Sequence, residues 1–325
     1  MDYINYVKQQ PITGMTGFGG GAASLAFEYT ASGGGGGSGT WYGDRGTFAG
    51  GYGGNTNTID YIDITSTGDA SDFGDLPQAV RASAPASNGT RGLVMGGRSA
   101  EPGPDTQINY FTFGTTGNAS DFGDSVTNAG KGYASGAAGS TGRALLAGGN
   151  GTSGTVDIEY FTIASTGNGT DLADLTSARY GLGGCSNGTR AVFGGGKSGI
   201  NTIDYKAIDT TANCVDFGDL QYGRGYIGAA QSHPAGRGIF SGGENNAGID
   251  YITIASPGNA SDFGDASGTE TATGCTSNAT RGIIAGNYSP DGDTINYITI
   301  ANTGNATDFG NLTRNDGYVC ASSGD

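Results

Sequence analysis

Short runs of Ile, Tyr and Phe alternate with Thr, Asp and Asn along most of the chain, and glycines separate the runs. Alternation with a period of two, bounded by turn residues, predicts strands. One such stretch, IDYITIASPGNASDFGDA from Ile249 to Ala266, is one of six copies; the others begin at Ile59, Ile108, Ile158, Ile203 and Ile295. Their tyrosines, Tyr61, Tyr110, Tyr160, Tyr205, Tyr251 and Tyr297, stand 49, 50, 45, 46 and 46 residues apart. That period suits a four-stranded propeller blade.

Each copy follows a second phrase: an arginine, a short apolar run, then paired glycines, as in TRGLVMGG and GRGIFSGG, with TRGIIAGN as the last case. Its arginines are Arg45, Arg91, Arg143, Arg190, Arg237 and Arg281. A third phrase of small residues, clearest in RYGLGGCSNG from Arg179, lies between the other two. Together the phrases resemble the kelch repeat, in which an inner strand is followed by an apolar strand ending in Gly-Gly, a strand carrying Tyr, a turn and an outer strand with an aromatic. Here that outer residue is Phe73, Phe122, Leu172, Phe217, Phe263 or Phe309 instead of the family's Trp, and the only tryptophan, Trp41, lies outside the repeats. The repeats start midway through a blade at Arg45, and a lone inner phrase, NDGYVCASSGD, ends the chain. The expected fold is therefore an all-β, six-bladed kelch-like propeller over residues 41–325. Its C-terminal strand completes the blade of residues 45–76, which removes open sheet edges. Gly, Ala and Ser in the inner phrases fit strands crowded around an axis, with Tyr and Phe filling the wedges between blades.

Composition narrows function by exclusion. The chain has 325 residues, 66 of them glycine, and 30 acids against 15 Lys and Arg, a net charge of −15. With no basic patch to neutralise phosphates, nucleic acid is not an expected partner. No apolar run reaches the ~18 residues of a spanning helix, so membrane insertion is not expected. The opening MDYINYVKQQPITG has neither the basic nor the apolar region of a secretory signal. The Asn-x-Ser/Thr triplets at Asn118, Asn168, Asn259 and Asn305 are read as turn chemistry.

No catalytic constellation is evident. The one histidine, His233, cannot supply the copper ligands of a galactose-oxidase-type site or serve a triad lacking a nucleophile phrase. The acids of the Asp-Phe-Gly-Asp phrase, Asp72/Asp75, Asp121/Asp124, Asp171/Asp174, Asp216/Asp219 and Asp262/Asp265, with Asp308 alone in the last copy, recur in every blade. Repetition favours turn capping or pairing with the repeated arginines over Ca²⁺ binding or acid–base work. Cys185, Cys275 and Cys320 share one inner-strand position and Cys214 sits in a turn, so free thiols acting as apolar fillers are expected. We expect no enzyme, metal or cofactor.

What varies are the loops after Gly-Gly, which share a face with the segments entering the inner strands. Irregular loops on a regular ring are where ligands bind. The candidate ligand residues are Arg81, Arg98, Glu101, Arg179, Lys197, Arg224, Glu244, Asn245, Tyr288 and Asp291. Residues 1–40 do not fit the repeat, and a Gly-rich linker separates them from it. Their Tyr3, Tyr6, Phe18, Phe27 and Tyr29 suggest an assembly arm. At phrase level, residues 45–325 resemble the kelch-type repeats of bacteriophage structural proteins, especially marine ones. That resemblance implies a virion protein made in the host cytoplasm and present in several copies per particle. It would sit on a tail or appendage, docked to other virion proteins through residues 1–40, and bind a host-surface glycan. The alternatives are a capsid-surface decoration protein and a non-viral sugar-binding or scaffolding propeller.

Overall fold

The computed structural model describes residues 43–324, apart from 54–55, 100–104, 128–130, 139–141, 151–152, 232–235 and 289–291. The proposed arm with its five aromatics, Trp41, Glu101, His233 and Asp291 lie outside these residues.

Six four-stranded antiparallel sheets form the ring. Blade 1 joins Arg45–Gly51, Thr56–Asp63 and Ser71–Asp75 to the C-terminal strand Cys320–Gly324, which pairs with Arg45–Ala49 as the inner strand. The expected closure is therefore what the chain adopts. Blades 2 to 6 follow in sequence, with inner strands Ala84–Ser87, Ser135–Ala138, Gly183–Ser186, Gly228–Gln231 and Gly274–Ser277.

The hydrophobic core is divided. Six buried clusters each combine residues of two adjacent blades, so the ring is held by six apolar wedges. One device aims the outer side chain into each wedge. In blade 1, Ile59 pairs with Gly74 but Asp60 pairs with Asp72, which leaves Phe73 as a bulge. The same shift isolates Phe122, Leu172, Phe217, Phe263 and Phe309. A bulge bends its strand and redirects a side chain; Phe73 is thereby 2% exposed and meets Phe111 of the next blade at 5.3 Å.

The glycine after each bulge makes this approach possible. A Cβ on Gly74 would lie 2.5 Å from the Gly117 carbonyl of the next blade, and four further glycines make the same contact. At the remaining junction both equivalent positions are alanine, Ala173 and Ala212, so the two departures occur together.

The repeated polar residues tie blade to blade. Arg45, Arg91, Arg143, Arg190, Arg237 and Arg281 each lie over their own blade's tyrosine, 4.3–5.2 Å from the ring centroid. Each also donates to a carbonyl of the following blade: Phe113, Ile163, Ile208, Ile254, Ile300 and, closing the ring, Ile64. These arginines do not pair with the Asp-Phe-Gly-Asp acids, as one expectation had it. Each arginine begins the second strand, beside its neighbour's turn, whereas Asp72, Asp121, Asp171, Asp216, Asp262 and Asp308 face solvent on the outer strand.

The triplet asparagines do serve turns, across blade junctions. Asn118, Asn168, Asn259 and Asn305 accept the backbone N–H of Asp75, Asp124, Asp219 and Asp265 at 3.0–3.1 Å. Asn213 and Asp69 do the same at the other two junctions. All four cysteines are buried and unbridged.

Candidate functional site

Two residue sets organise the axial end of the ring on the variable-loop face. The first is a circle of left-handed residues, one from each segment entering an inner strand: Ala82, Tyr133, Gly181, Tyr226, Ala272 and Tyr318, with φ between +54° and +72°. For non-glycine residues this conformation costs about 1–2 kcal/mol each. A closed ring of backbone hydrogen bonds offsets that cost. Each N–H donates to the carbonyl of its predecessor, through to Tyr318 N–H on Ala272 and Ala82 N–H on Tyr318, at 2.6–3.0 Å.

The second set lies two residues earlier and is buried: Val80, Lys131, Arg179, Arg224, Glu270 and Asp316. Facing it, on each third strand, stand Asn109, Glu159, Asp204, Asp250, Asn296 and Asp60, also buried. The facing residues match in charge, blade by blade. Lys131–Glu159, Arg179–Asp204 and Arg224–Asp250 are ion pairs of 3.7, 2.9 and 3.1 Å. In blade 1 the cation is displaced to Arg314, which binds both Asp60 and Asp316. Where the cation is replaced by Val80 or Glu270, its partner is a neutral Asn. The carboxylates also receive the chain leaving the previous blade, as when Thr176 donates through N–H and Oγ1 to Asp204 at 3.0 and 2.7 Å. Arg179 and Arg224, two of the expected ligand residues, are thus committed to buried pairs. Sequence spacing alone did not separate them from surface arginines.

Above the circle, tyrosines converge. The rings of Tyr133, Tyr226 and Tyr318 form a triangle with centroids 5.1, 5.4 and 5.6 Å apart. Tyr180 joins beside Tyr133 and Tyr226. Tyr52 and Tyr288, from variable loops, lie 5.0 Å from each other and 6.2 and 5.8 Å from Tyr318. Tyr52 and Tyr288 are 39% and 53% exposed and form the outer shelf of the mouth. Burial, reinforced by neighbouring tyrosines, raises the Tyr226 and Tyr318 hydroxyls above their usual pKa, so they are neutral donors.

Besides Tyr288, five of the remaining expected ligand residues gather here. The Arg81 guanidinium lies 4.3 Å from the Tyr52 centroid, Arg98 5.9 Å from Tyr133, and Lys197 Nζ 5.1 Å from Tyr226. The Arg81 and Arg98 backbones pair reciprocally. Glu244 pairs with Lys197 and accepts the Gly225 N–H. Burial pushes its carboxyl up, but those hydrogen bonds hold it below the usual range. Asn245 beside it, also left-handed, is fixed to Thr271.

Behind the tyrosines the axis is narrow. A cavity of about 70 Å³ is lined by Tyr133, Tyr226 and Tyr318 with Leu182, Ile227 and Val319. Two more, of about 80 and 60 Å³, follow along the small-residue inner strands. These volumes admit a few waters, not an organic ligand, which needs roughly 300 Å³ or more. Among the described residues, these three axial cavities therefore leave no room for an organic ligand along the axis. Among the described residues, no group of three or more His, Cys, Asp and Glu is arranged to hold a metal ion.

Known proteins assign no family. No family model matches the chain, and no curated protein matches it. The architecture stands on its own geometry as a six-bladed β-propeller. Tyr288 was among the expected residues, whereas Tyr133, Tyr226 and Tyr318 were missed in the sequence because they belong to the loosest phrase. Aligning its six copies on the residue two after Val80, Lys131, Arg179, Arg224, Glu270 and Asp316 gives small and Tyr in strict alternation.

Proposed function

We propose that this chain is a non-catalytic binding propeller of a bacteriophage particle, its tyrosine-rich face presented to a host-surface glycan. One observation carries the binding reading. The repeated arginines and turn asparagines are engaged in holding blades together, while tyrosines from alternate inner segments and from two variable loops converge with cations at one axial mouth. Exposed aromatic shelves edged by polar groups suit sugars, whose apolar ring faces stack while hydroxyls take hydrogen bonds. The phage setting is supported by the phrase-level resemblance to kelch-type virion repeats, with residues 1–40 as the docking arm. Immunogold electron microscopy of purified particles, with antibody against residues 40–325, tests the placement. Label on a tail or appendage supports it; label over the capsid favours decoration; unlabelled particles would leave a cellular binding module.

A further inference from the structure

Residues 269–271 join two variable loops on one side of the mouth; the inference rests on the proposed binding face. The Asn287 side chain grips both ends of this stretch. Its Oδ1 accepts the Thr271 N–H at 2.9 Å, and its Nδ2 donates to the Thr269 carbonyl at 3.1 Å. Tyr288, next along, donates its N–H to the Thr271 carbonyl at 2.9 Å. From blade 5, the Asn245 N–H donates to Thr271 Oγ1, which donates in turn to Asn245 Oδ1. The Gly243 N–H reaches the Glu270 carbonyl at 2.9 Å. The exposed Tyr288 ring and the tip at residues 244 and 245 therefore hang from one short segment. Its next residue, Ala272, accepts the N–H of Tyr318.

The middle residue of that segment is a buried acid. Glu270 meets Ser241 Oγ of blade 5 and the Asn296 amide of blade 6. The Cys275 thiol of the adjoining inner strand feels its charge and is itself held protonated by burial. Glu244, on the covering loop, is taken by Lys197. Among the described residues no cation pairs with Glu270, and burial raises its carboxyl to about 7. An ionised carboxylate so placed needs water or a counter-charge. The turn at residues 242 and 243 lies directly over it: a Cβ on Gly242 would stand 2.9 Å from the Glu270 Cβ.

We propose that Glu270 is a pH switch for the mouth. Protonated, it stays dry under the glycine turn, and residues 269–271 hold both loops. Ionised, it draws water beneath the turn, the bonds from Gly243 and Asn245 open, and the Tyr288 shelf loses its fixed place. The folded form binds this proton more tightly than the opened form, so the loops are ordered below neutral pH and loosened above it.

Hydrogen exchange of the full chain at pH 6 and pH 8, corrected for intrinsic rates, tests the switch. The amides of Gly243, Asn245, Thr271 and Tyr288 should lose protection roughly tenfold at pH 8, the change in opened population expected of an acid raised from 4.5 to about 7. The Gly196 amide, which binds the Arg224 carbonyl at the same place in the neighbouring blade, should keep its protection. Glu270→Gln should remove the pH dependence. Equal protection at the two pH values in the wild type overturns the switch. So does an equal loss at Gly196, or a loss that persists in Glu270→Gln. The wild-type comparison needs no variant to fold. No ligand is present, so the result is separate from that of the binding face. A printed array of bacterial surface glycans that binds no chain at pH 6 overturns the glycan reading and leaves the switch standing.

Discussion

Replacing Glu270 by Gln should stabilise the ring at pH 8 and do little at pH 5. Glu270 occupies the interior position that holds a cation in three other blades, yet it is 5% exposed and faces Asn296 in place of an opposite charge. Its contacts are long, 3.4 Å from Asn296 Nδ2 and 3.5 Å from Ser241 Oγ, and Asn296 Oδ1 is buried without a hydrogen-bond donor. Burial accordingly pushes its carboxyl from 4.5 up to about 7, with the Asn296 and Ser241 hydrogen bonds pulling weakly the other way. The folded chain then holds this proton more tightly than the unfolded chain. Stability contributed here is full below about pH 4.5, declines as pH rises toward 7, and stays lost above it. A shift of this size is worth about 3 kcal/mol. Glutamine is neutral throughout, so the gain should be about 3 kcal/mol at pH 8 and under ~1 kcal/mol at pH 5. Urea denaturation of both proteins at pH 5, 6, 7 and 8 measures the difference, from which unaltered titrating groups cancel. Parallel stability curves would refute the argument, because a gain independent of pH cannot come from an ionising carboxyl.

Three further outcomes follow from the same geometry. Asp204→Asn leaves Arg179 buried without its counter-charge and should cost about 3–5 kcal/mol in urea denaturation; adding Arg179→Val, which copies the natural Val80–Asn109 arrangement, should recover at least half. Arg190→Ala removes the 2.8 Å bond to Ile254 O and the stacking on Tyr205; it should cost about 1–3 kcal/mol, against under ~0.5 for solvent-facing Asp216→Ala in the same assay. Burial lifts the Cys185 and Cys214 thiols to about 12 and raises those of Cys275 and Cys320 as well. A thiol reagent at pH 8 should therefore label the native chain far more slowly than the chain in denaturant.

The ring was legible because its physics repeats. Each junction needs the same Phe or Leu at a bulge, the same arginine on a neighbour's carbonyl and the same turn cap, so selection writes each requirement six times. Blade number and strand closure follow from counting those phrases. The interior charges were harder to read. Val80, Lys131, Arg179, Arg224, Glu270 and Asp316 share a backbone position but not a chemistry, and each makes sense only beside its partner on the third strand of the same blade. Arg179 therefore looked like a surface cation, as Arg224 did. The mouth was legible only in part: the variable loops pointed to Tyr288, but not to Tyr52, which meets it from a loop of unlike sequence when the ring closes.

The alternation of Tyr133, Tyr226 and Tyr318 with Ala82, Gly181 and Ala272 has a geometric reason. Six identical segments reach the axis at equal heights, and their backbones are already drawn together by the closed hydrogen-bond circle. The three rings present lie at tilted or edge-on angles with centroids 5.1–5.6 Å apart, near the lower end of favourable aromatic contact. Three more rings at the same level would have to occupy the same space, so alternate blades contribute a small residue. The sixfold scaffold thus ends in a threefold arrangement. Tyr52 and Tyr288 break that symmetry in turn, by adding their shelf beside Tyr318 alone among the three. A mouth with one distinguished side can hold one ligand in one orientation, which a sixfold ring of identical loops could not.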